Sequence, residues 1–258
     1  RQLMKFTSLF SGSSGNSYLI ETDESKILID AGKSGIKIEK ELKKLNINPE
    51  DINAILLTHE HTDHFQSVST LSRKHKIPIF VSSNIRNLLN FKTSDEFIHT
   101  FDSNKDFYIN DLNIVPFRLS HDAADPVGFS FNNKDSKLSL ATDTGVFNEN
   151  IIDSISDSDI AIIESNYEEN LIEVSRYPYY LKRRIKSEKG HLSNKQMQEL
   201  IKILSDKNVN KFILAHLSKE NNHPDIVKQS AMIAIENKEI KPEIYIAPRE
   251  EKGITFEL

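Results

Sequence analysis

The stretch LLTHEHTDHF, residues 56 to 65, sets His59, His61, Asp63 and His64 within six positions behind an apolar run. In an extended segment His59 and His61 project to the same side, and Asp63 and His64 arrive as the chain turns into the next helix. Three imidazoles and a carboxylate crowded behind a buried strand would leave polar groups poorly satisfied unless a cation takes their lone pairs. The chemistry implied is divalent metal binding.

Three more apolar runs end the same way, a small or hydroxyl residue preceding a coordinating side chain: Ser120-His121, Thr142-Asp143 and Ala215-His216. In α/β proteins ligands bind beyond the carboxyl ends of strands, where side chains converge without breaking the core. One shared site accounts for all four. His59, His61 and His121 would hold a first ion, Asp63, His64 and His216 a second, and Asp143 would bridge them through its two oxygens. Ions about 3.5 to 4 Å apart are the arrangement of two-metal hydrolases. Mixed nitrogen and oxygen donors suit zinc, and the carboxylates also admit manganese or iron. His75, His99 and His223 stand apart from this set and read as surface or core histidines.

The elements that must carry these residues alternate between strand-like and helix-like runs, the pattern of an α/β fold. NSYLIET, SKILIDAG, NAILLTH and IPIFVS read as strands; GIKIEKELKKLNI has helical spacing at Ile36, Leu42 and Leu45, FQSVSTLSRKHK reads as a helix and NIRNLLNF as a short one. A mainly β stretch from Phe97 to Thr142 is followed by the strand IAIIESNY, a largely helical insert, the strand KFILAH, the helix PDIVKQSAMIAIENK and the closing strands EIYIAP and GITFEL. DESKILIDAG and KDSKLSLATDTG both feed a strand ending in Asp-x-Gly, which suggests two similar halves packed face to face.

Composition narrows the options further. With 38% hydrophobic residues the chain can pack a core, and it has neither an apolar run long enough to span a bilayer nor an N-terminal signal core, so a cytoplasmic protein without a membrane partner is expected. Met4 reads as a natural start, which makes residues 1–3 an expected expression remnant. No cysteine is present, so any metal must be held by His and carboxylate. The net charge of −5 speaks against a protein coated in nucleic acid but leaves a local basic patch open.

Such a patch lies in RYPYYLKRRIKSEKGHLSNK, where Arg176, Lys182, Arg183, Arg184, Lys186 and Lys189 face only Glu188, with Tyr177, Tyr179 and Tyr180 interleaved. Cations meet phosphates and aromatic rings meet unstacked bases, so Arg176, Tyr179, Lys182, Arg183 and Arg184 are candidate nucleic-acid contacts; the alternative is a solvated helical face with tyrosines packed inward. At the other end, Ser11-Gly12-Ser13-Ser14-Gly15-Asn16 offers freed backbone N–H groups and hydroxyls, and Ser11, Ser13, Ser14 and Asn16 are candidates to hold a phosphate beside the metals. A tight turn between strands is the competing reading. Ser193-x-x-Gln196 forms a capping box that would fix His191 just upstream of a helix.

The ordered set His59-x-His61-x-Asp63-His64, His121, Asp143 and His216 resembles the metallo-β-lactamase superfamily. That resemblance implies a four-layer αββα sandwich with metals at one edge of the sheets, a single domain over residues 4–258 with the basic aromatic insert around 168–192, and Asp30 as structural support of the site. SLFSGSSGNSYLI, GHLSN at 190–194 and LAHLSKENN at 214–222 are similar to the YycJ/WalJ group, regarded as metal-dependent 5′-to-3′ DNA exonucleases linked to DNA repair. The absence of a Cys ligand disfavours antibiotic hydrolysis, and the large nucleic-acid-clamping insert of the β-CASP branch is missing.

In ribonuclease Z and PhnP-type relatives a His upstream of the final metal His assists catalysis, and His191 is spaced for that role before His216. The resemblance therefore implies two divalent ions lowering the pKa of a shared water toward about 7, in-line attack of the resulting bridging hydroxide on phosphorus, and His191 protonating or otherwise stabilising the departing alkoxide. Asp63 or Asp143 would orient the water. The expected partner is DNA with a 5′ end. A PhnP-like small cyclic phosphodiesterase and a ribonuclease Z-like RNA hydrolase would use the same metals; a non-enzymatic adaptor would have no need of the full ligand set.

Overall fold

The computed structural model describes residues 3–258; Arg1 and Gln2, two of the three residues expected to be a remnant, lie outside the described residues. Strands β1 (Lys5–Phe10), β2 (Ser17–Glu21), β3 (Lys26–Ile29), β4 (Ala54–Leu56), β5 (Ile79–Ser82) and β6 (Ile98–Phe101) form one sheet with β14 (Thr255–Glu257) added beside β1. The second sheet holds β7 (Phe107–Ile109), β8 (Leu112–Arg118), β9 (Val127–Asn132), β10 (Lys137–Ala141), β11 (Ile160–Glu164), β12 (Lys211–Ala215) and β13 (Glu243–Ile246), neighbours in that order. The helices are α1 (Gly35–Lys44), α2 (Thr62–Phe65), α3 (Val68–His75), α4 (Glu149–Ile155), α5 (Glu169–Val174), α6 (Tyr179–Ile185), α7 (Asn194–Ser205) and α8 (Pro224–Ala234).

Side-chain alternation along the strands builds four layers. Ile27 and Ile29 of β3 join Phe129, Leu140, Ile160 and Ile162 in the core between the sheets. Leu28, on the opposite face, packs with Ile38 and Leu42 of α1 and Leu71 of α3. In the second sheet Ala161 and Ile163 of β11 turn outward against Met197 and Leu200 of α7. Strands buried on both faces read as unbroken apolar runs, which is what IAIIE and KFILA are. The result is the αββα sandwich.

The two sheets share their wiring. Pairing is antiparallel through β1, β2 and β3 and then parallel from β3 to β6; likewise antiparallel through β8, β9 and β10 and parallel from β10 to β13. β3 and β10, the two echoed segments, are the strands at which each sheet switches.

Some local expectations fail for identifiable reasons. Ile36 is 79% exposed, because α1 turns Ile38 and Leu42, four apart, toward the sheet. NIRNLLNF forms turns rather than a helix; its three asparagines compete for backbone groups, and the Ser82 hydroxyl accepts from Asn84 N. α8 stops at Ala234, short of Lys238. α4, which the strand-dominated reading passes over, is capped by Asn148, whose side chain accepts from Ile151 N at 3.0 Å. Among the described residues no helix is long and apolar enough to cross a membrane.

Candidate metal centre

Strand ends at one edge of the sandwich supply the chemistry. Asp30 follows β3, His59 lies just past β4, His121 past β8, Asp143 past β10 and His216 directly after β12, while Glu164 is the last residue of β11. Asp30, Asp143 and His216 take the left-handed backbone, at φ 61°, 64° and 56°. That region is uncommon for residues other than glycine and gathers at functional sites. Here it ends the strand and takes the side chain off the sheet's alternation.

Ligand atoms of His59, His61 and His121 all lie within 4.8 Å of one another, and so do those of Asp63, His64 and His216. Asp143 stands beside both groups: Oδ2 is 3.3 Å from His64 Nε2, and Oδ1 is 3.4 Å from His216 Nδ1 and 3.9 Å from His121 Nε2. A further group joins Asp143 and His216 to His191 and Glu164, and Glu164 is absent from the sequence reading.

Hydrogen bonds to buried partners orient the rings. Asp30, fully buried, accepts from Thr58 N at 2.8 Å through one oxygen, and from Thr58 Oγ1 at 2.8 Å and His64 Nδ1 at 2.7 Å through the other. With its proton committed to Asp30, the Thr58 hydroxyl is left to accept from His59 Nδ1 at 3.0 Å, which leaves His59 Nε2 a bare lone pair. Glu164 does the corresponding work in the second half: Oε1 accepts from both His191 Nδ1 and His216 Nδ1 at 2.7 Å, and Oε2 from Leu192 N at 3.1 Å and Thr144 N at 3.3 Å. His121 Nδ1 donates to Gly190 O at 3.0 Å. Only glycine fits at 190, since a Cβ there would lie 2.1 Å from Ile185 O at the end of α6.

A carboxylate closing an otherwise apolar strand is the signal for Glu164, but one such residue has no spacing pattern to mark it. Asp122 was missed for the same reason; its Oδ1 is 3.4 Å from His121 Nε2 and 3.9 Å from His61 Nε2, and its Oδ2 holds Arg184.

Three buried atoms of this cluster have no hydrogen-bond partner among the described residues: His59 Nε2, Asp143 Oδ2 and His216 Nε2. Each such atom costs about 1 to 3 kcal/mol in a closed protein interior, and their convergence has no internal explanation. Divalent cations would satisfy them, and the imidazole and carboxylate donors fit zinc, manganese or iron. The charges agree. Burial would push the Asp143 carboxyl up, but the neighbouring His216 and His64 hold it well below the usual carboxylate range. Against the opposing effect of burial, Asp143, Asp30 and Asp63 raise His64 well above an ordinary imidazole, and Asp143, Asp63 and Glu164 raise His216 to about 10. Burial, with His64 adjacent, pushes His59 well below. In the metal-free protein, protons on His64 and His216 supply positive charge where cations would.

The centre opens into a cavity of about 230 Å³. His61, Asp63, His121, Asp143, His191 and His216 line it, together with Tyr177, Leu181, Arg184 and Ile185 from the insert. Of the proposed phosphate holders only Ser13 lines it. Ser11 is buried and accepts from His216 N at 2.8 Å, Asn16 is buried against His64 Nε2 at 3.1 Å, and Ser14 donates to Glu250 at 3.0 Å and accepts from Lys33 at 2.8 Å. Most of this loop braces the centre rather than facing a ligand.

Arg176, Tyr179 and Arg183 are exposed, and Arg183 lies over the Tyr179 ring at 5.9 Å. Lys182 donates to the Glu173 backbone carbonyl at 2.7 Å, and Lys186 pairs with the Glu173 carboxylate, so Lys186 alone of the two is neutralised by a residue outside the run. Of the isolated histidines, His75 bridges Glu39 and Glu50, His99 stacks on Phe80 and His223 caps α8. The capping box at Ser193 and Gln196 forms, with Ser193 N donating to Gln196 Oε1 at 2.9 Å.

Residues 25–217 match the family model described as a β-lactamase superfamily domain. The chain is 34% identical over 240 residues to the exodeoxyribonuclease YycJ of Bacillus anthracis, covering 91% of this chain and 90% of that protein. It is 38% identical to the exodeoxyribonuclease WalJ of Streptococcus pneumoniae serotype 2, covering 88% of each. The metallo-β-lactamase fold protein YhfI of Bacillus subtilis superposes over the full length of both chains with a TM-score of 0.77 at 16% identity.

Proposed function

The chain belongs to the metallo-β-lactamase superfamily and, within it, to the YycJ/WalJ group of metal-dependent hydrolases, and we propose that it is a two-metal exonuclease that degrades DNA from the 5′ end. The observation that carries the chemistry is the pair of ligand triads flanking Asp143, with His59 Nε2, Asp143 Oδ2 and His216 Nε2 left unpartnered between them. The names of relatives that match over nearly the whole chain supply the substrate class.

In this reading His59, His61 and His121 hold one ion, Asp63, His64 and His216 a second, and Asp143 serves both; zinc or manganese fits the donors, with iron a further candidate. Divalent ions supply two things when bound, a lowered pKa for water and neutralisation of charge growing on phosphoryl oxygens. The protein does the rest. Asp63, with its side chain open to the cavity, orients the water. His191, fastened through Nδ1 to Glu164, has its other nitrogen left for the cavity and gives a proton to the departing sugar oxygen. Arg183 and Tyr179 take the strand beyond the cavity. A cytoplasmic site of action and a part in DNA repair belong to the same proposal.

A gel assay on end-labelled single-stranded and duplex DNA and matched RNA, with and without a 5′ phosphate, tests it. Stepwise shortening of DNA from the 5′ end with added manganese, abolished by chelator, is the expected result. RNA cleavage in preference to DNA would replace DNA as the substrate, and turnover of a small cyclic phosphodiester with every strand left intact would replace the exonuclease.

A further inference from the structure

A phosphodiester is polar on all sides, so a centre serving phosphate alone has no use for an apolar wall. The cavity has one. Tyr177, Leu181 and Ile185 line it, and Ile185 is anchored in a small cluster with Tyr167 and Ile172, against which Tyr177 and Leu181 pack half-buried. Arg184, on the same helix, also lines the cavity, with its Nε held by Asp122 next to His61 and His121. The helix is tied to the centre a second time, through the contact of Gly190 with Ile185 O and the bond from His121 to Gly190 O. The wall is therefore a fixed part of the site.

The volume, about 230 Å³, falls just below the range of roughly 300 to 1,000 Å³ usual for small-ligand pockets. A volume of that order suits one nucleoside unit.

We infer that this cavity is a terminal-nucleotide pocket: the 5′-terminal base lies against Tyr177, Leu181 and Ile185, Arg184 meets its phosphate, and the enzyme releases one nucleotide per cut. The inference rests on the exonuclease reading and adds to it the unit of cleavage and the residues that set it. In each cut water adds its oxygen to the phosphorus of the second nucleotide, the bond from that phosphorus to the terminal O3′ breaks, and O3′ takes its proton from His191. The water's remaining proton is lost to solvent and His191 is reprotonated, so the balance is one water consumed. The products are a nucleoside 5′-monophosphate and a strand that again begins with a 5′ phosphate, ready for the next cut.

Two measurements on the metal-loaded full chain decide it. The first resolves the earliest products from 5′-labelled DNA. Mononucleotides are expected; dinucleotides or longer products as the main early species overturn the pocket while leaving the exonuclease intact. No shortening of DNA by protein that still hydrolyses bis(p-nitrophenyl) phosphate overturns the exonuclease reading, and the pocket with it.

The second compares binding of deoxyadenosine 5′-monophosphate and deoxyribose 5-phosphate by calorimetry. The base should strengthen binding about tenfold, the low end of what stacking contributes per base. Tyr177→Ala should erase the difference and Tyr177→Phe restore it. A purely structural Tyr177 would weaken both ligands alike, and that result, or equal binding of the two by the unaltered chain, overturns the assignment.

Discussion

On the strand side of the cavity His59, His64, Asp143 and His216 are buried, and Thr58, Asp30 and Glu164 fix the imidazole rings; across the seven-residue helix whose Leu181, Arg184 and Ile185 line the cavity, Arg176, Tyr179, Tyr180 and Arg183 stand exposed. The first arrangement fixes each ring by giving its Nδ1 a buried hydrogen-bond partner. The second leaves side chains free to follow a flexible strand. Reaction chemistry needs the one and grip the other, and substitutions on the two sides should differ in size and in what they alter.

The largest effect expected is from Asp143→Ala. It removes the carboxylate that stands beside both triads and leaves His64 and His216 to share Asp63 between them, with Asp30 and Glu164 behind. Metal content should fall by at least half, and the rate by about 10³-fold or more, beyond the cost of a single lost electrostatic contact. Metal analysis of the purified variant checks the first figure. Retention of full metal would remove Asp143 from the ligand set and shift its role to the water.

His191→Ala and Glu164→Gln divide the same side of the cavity into chemistry and support. His191→Ala should keep its metal and lose about 10² to 10⁴ in kcat, the usual worth of a positioned acid or base. Loss of metal in that variant would make His191 a ligand. Glu164→Gln should lose about 10- to 100-fold in metal affinity and activity together, because an amide cannot accept from both imidazoles while receiving the backbone N–H groups of Leu192 and Thr144. Metal titration beside steady-state rates separates the two outcomes.

Glu164 also marks where the sequence stops being legible. His59, His61, Asp63 and His64 announce themselves by density, and His121, Asp143 and His216 by each closing an apolar run. The repeated Asp-x-Gly turn was readable because the backbone imposes it: Asp30 and Asp143 close the strand at which each sheet changes from antiparallel to parallel pairing, and both take a left-handed backbone. Glu164 and Asp122 matter because of what lies across the fold from them, and no local pattern encodes that. The same limit affected the basic run, whose partners Glu173 and Asp122 lie outside it, and the serine loop, where composition suggested a phosphate cradle but Ser11 and Asn16 are buried beneath the centre.

The charges on the strand side predict a pH dependence. His216 is raised to about 10 in the metal-free fold, against about 6.5 for an unfolded imidazole. Its proton therefore stabilises the metal-free protein fully below about pH 6.5, and that contribution is lost as pH climbs toward the folded value. Metal must displace that proton, so binding strengthens with pH by up to about tenfold per unit for each proton released. The difference in melting temperature between metal-loaded and chelated protein should widen between about pH 6 and pH 9. A constant difference would mean the imidazole is already neutral before metal arrives.

The smallest effects belong to the exposed side, and they test whether it grips anything. Arg183→Ala removes an exposed cation that lies over the Tyr179 ring at 5.9 Å, so stability should change by no more than about 0.5 kcal/mol. If Arg183 meets a phosphate of single-stranded DNA, the variant should bind such DNA a few-fold more weakly, and the slope of log affinity against log salt should flatten by about 0.7, one phosphate's share. KM should rise while kcat holds, since the contact is equally strong before and during bond breaking. Lys182→Ala supplies the control from the same helix, because Lys182 is already bonded to Glu173 O and should alter the salt slope less. Equal, flat responses from both would return the patch to a solvated helical face and leave the cavity alone to hold the strand.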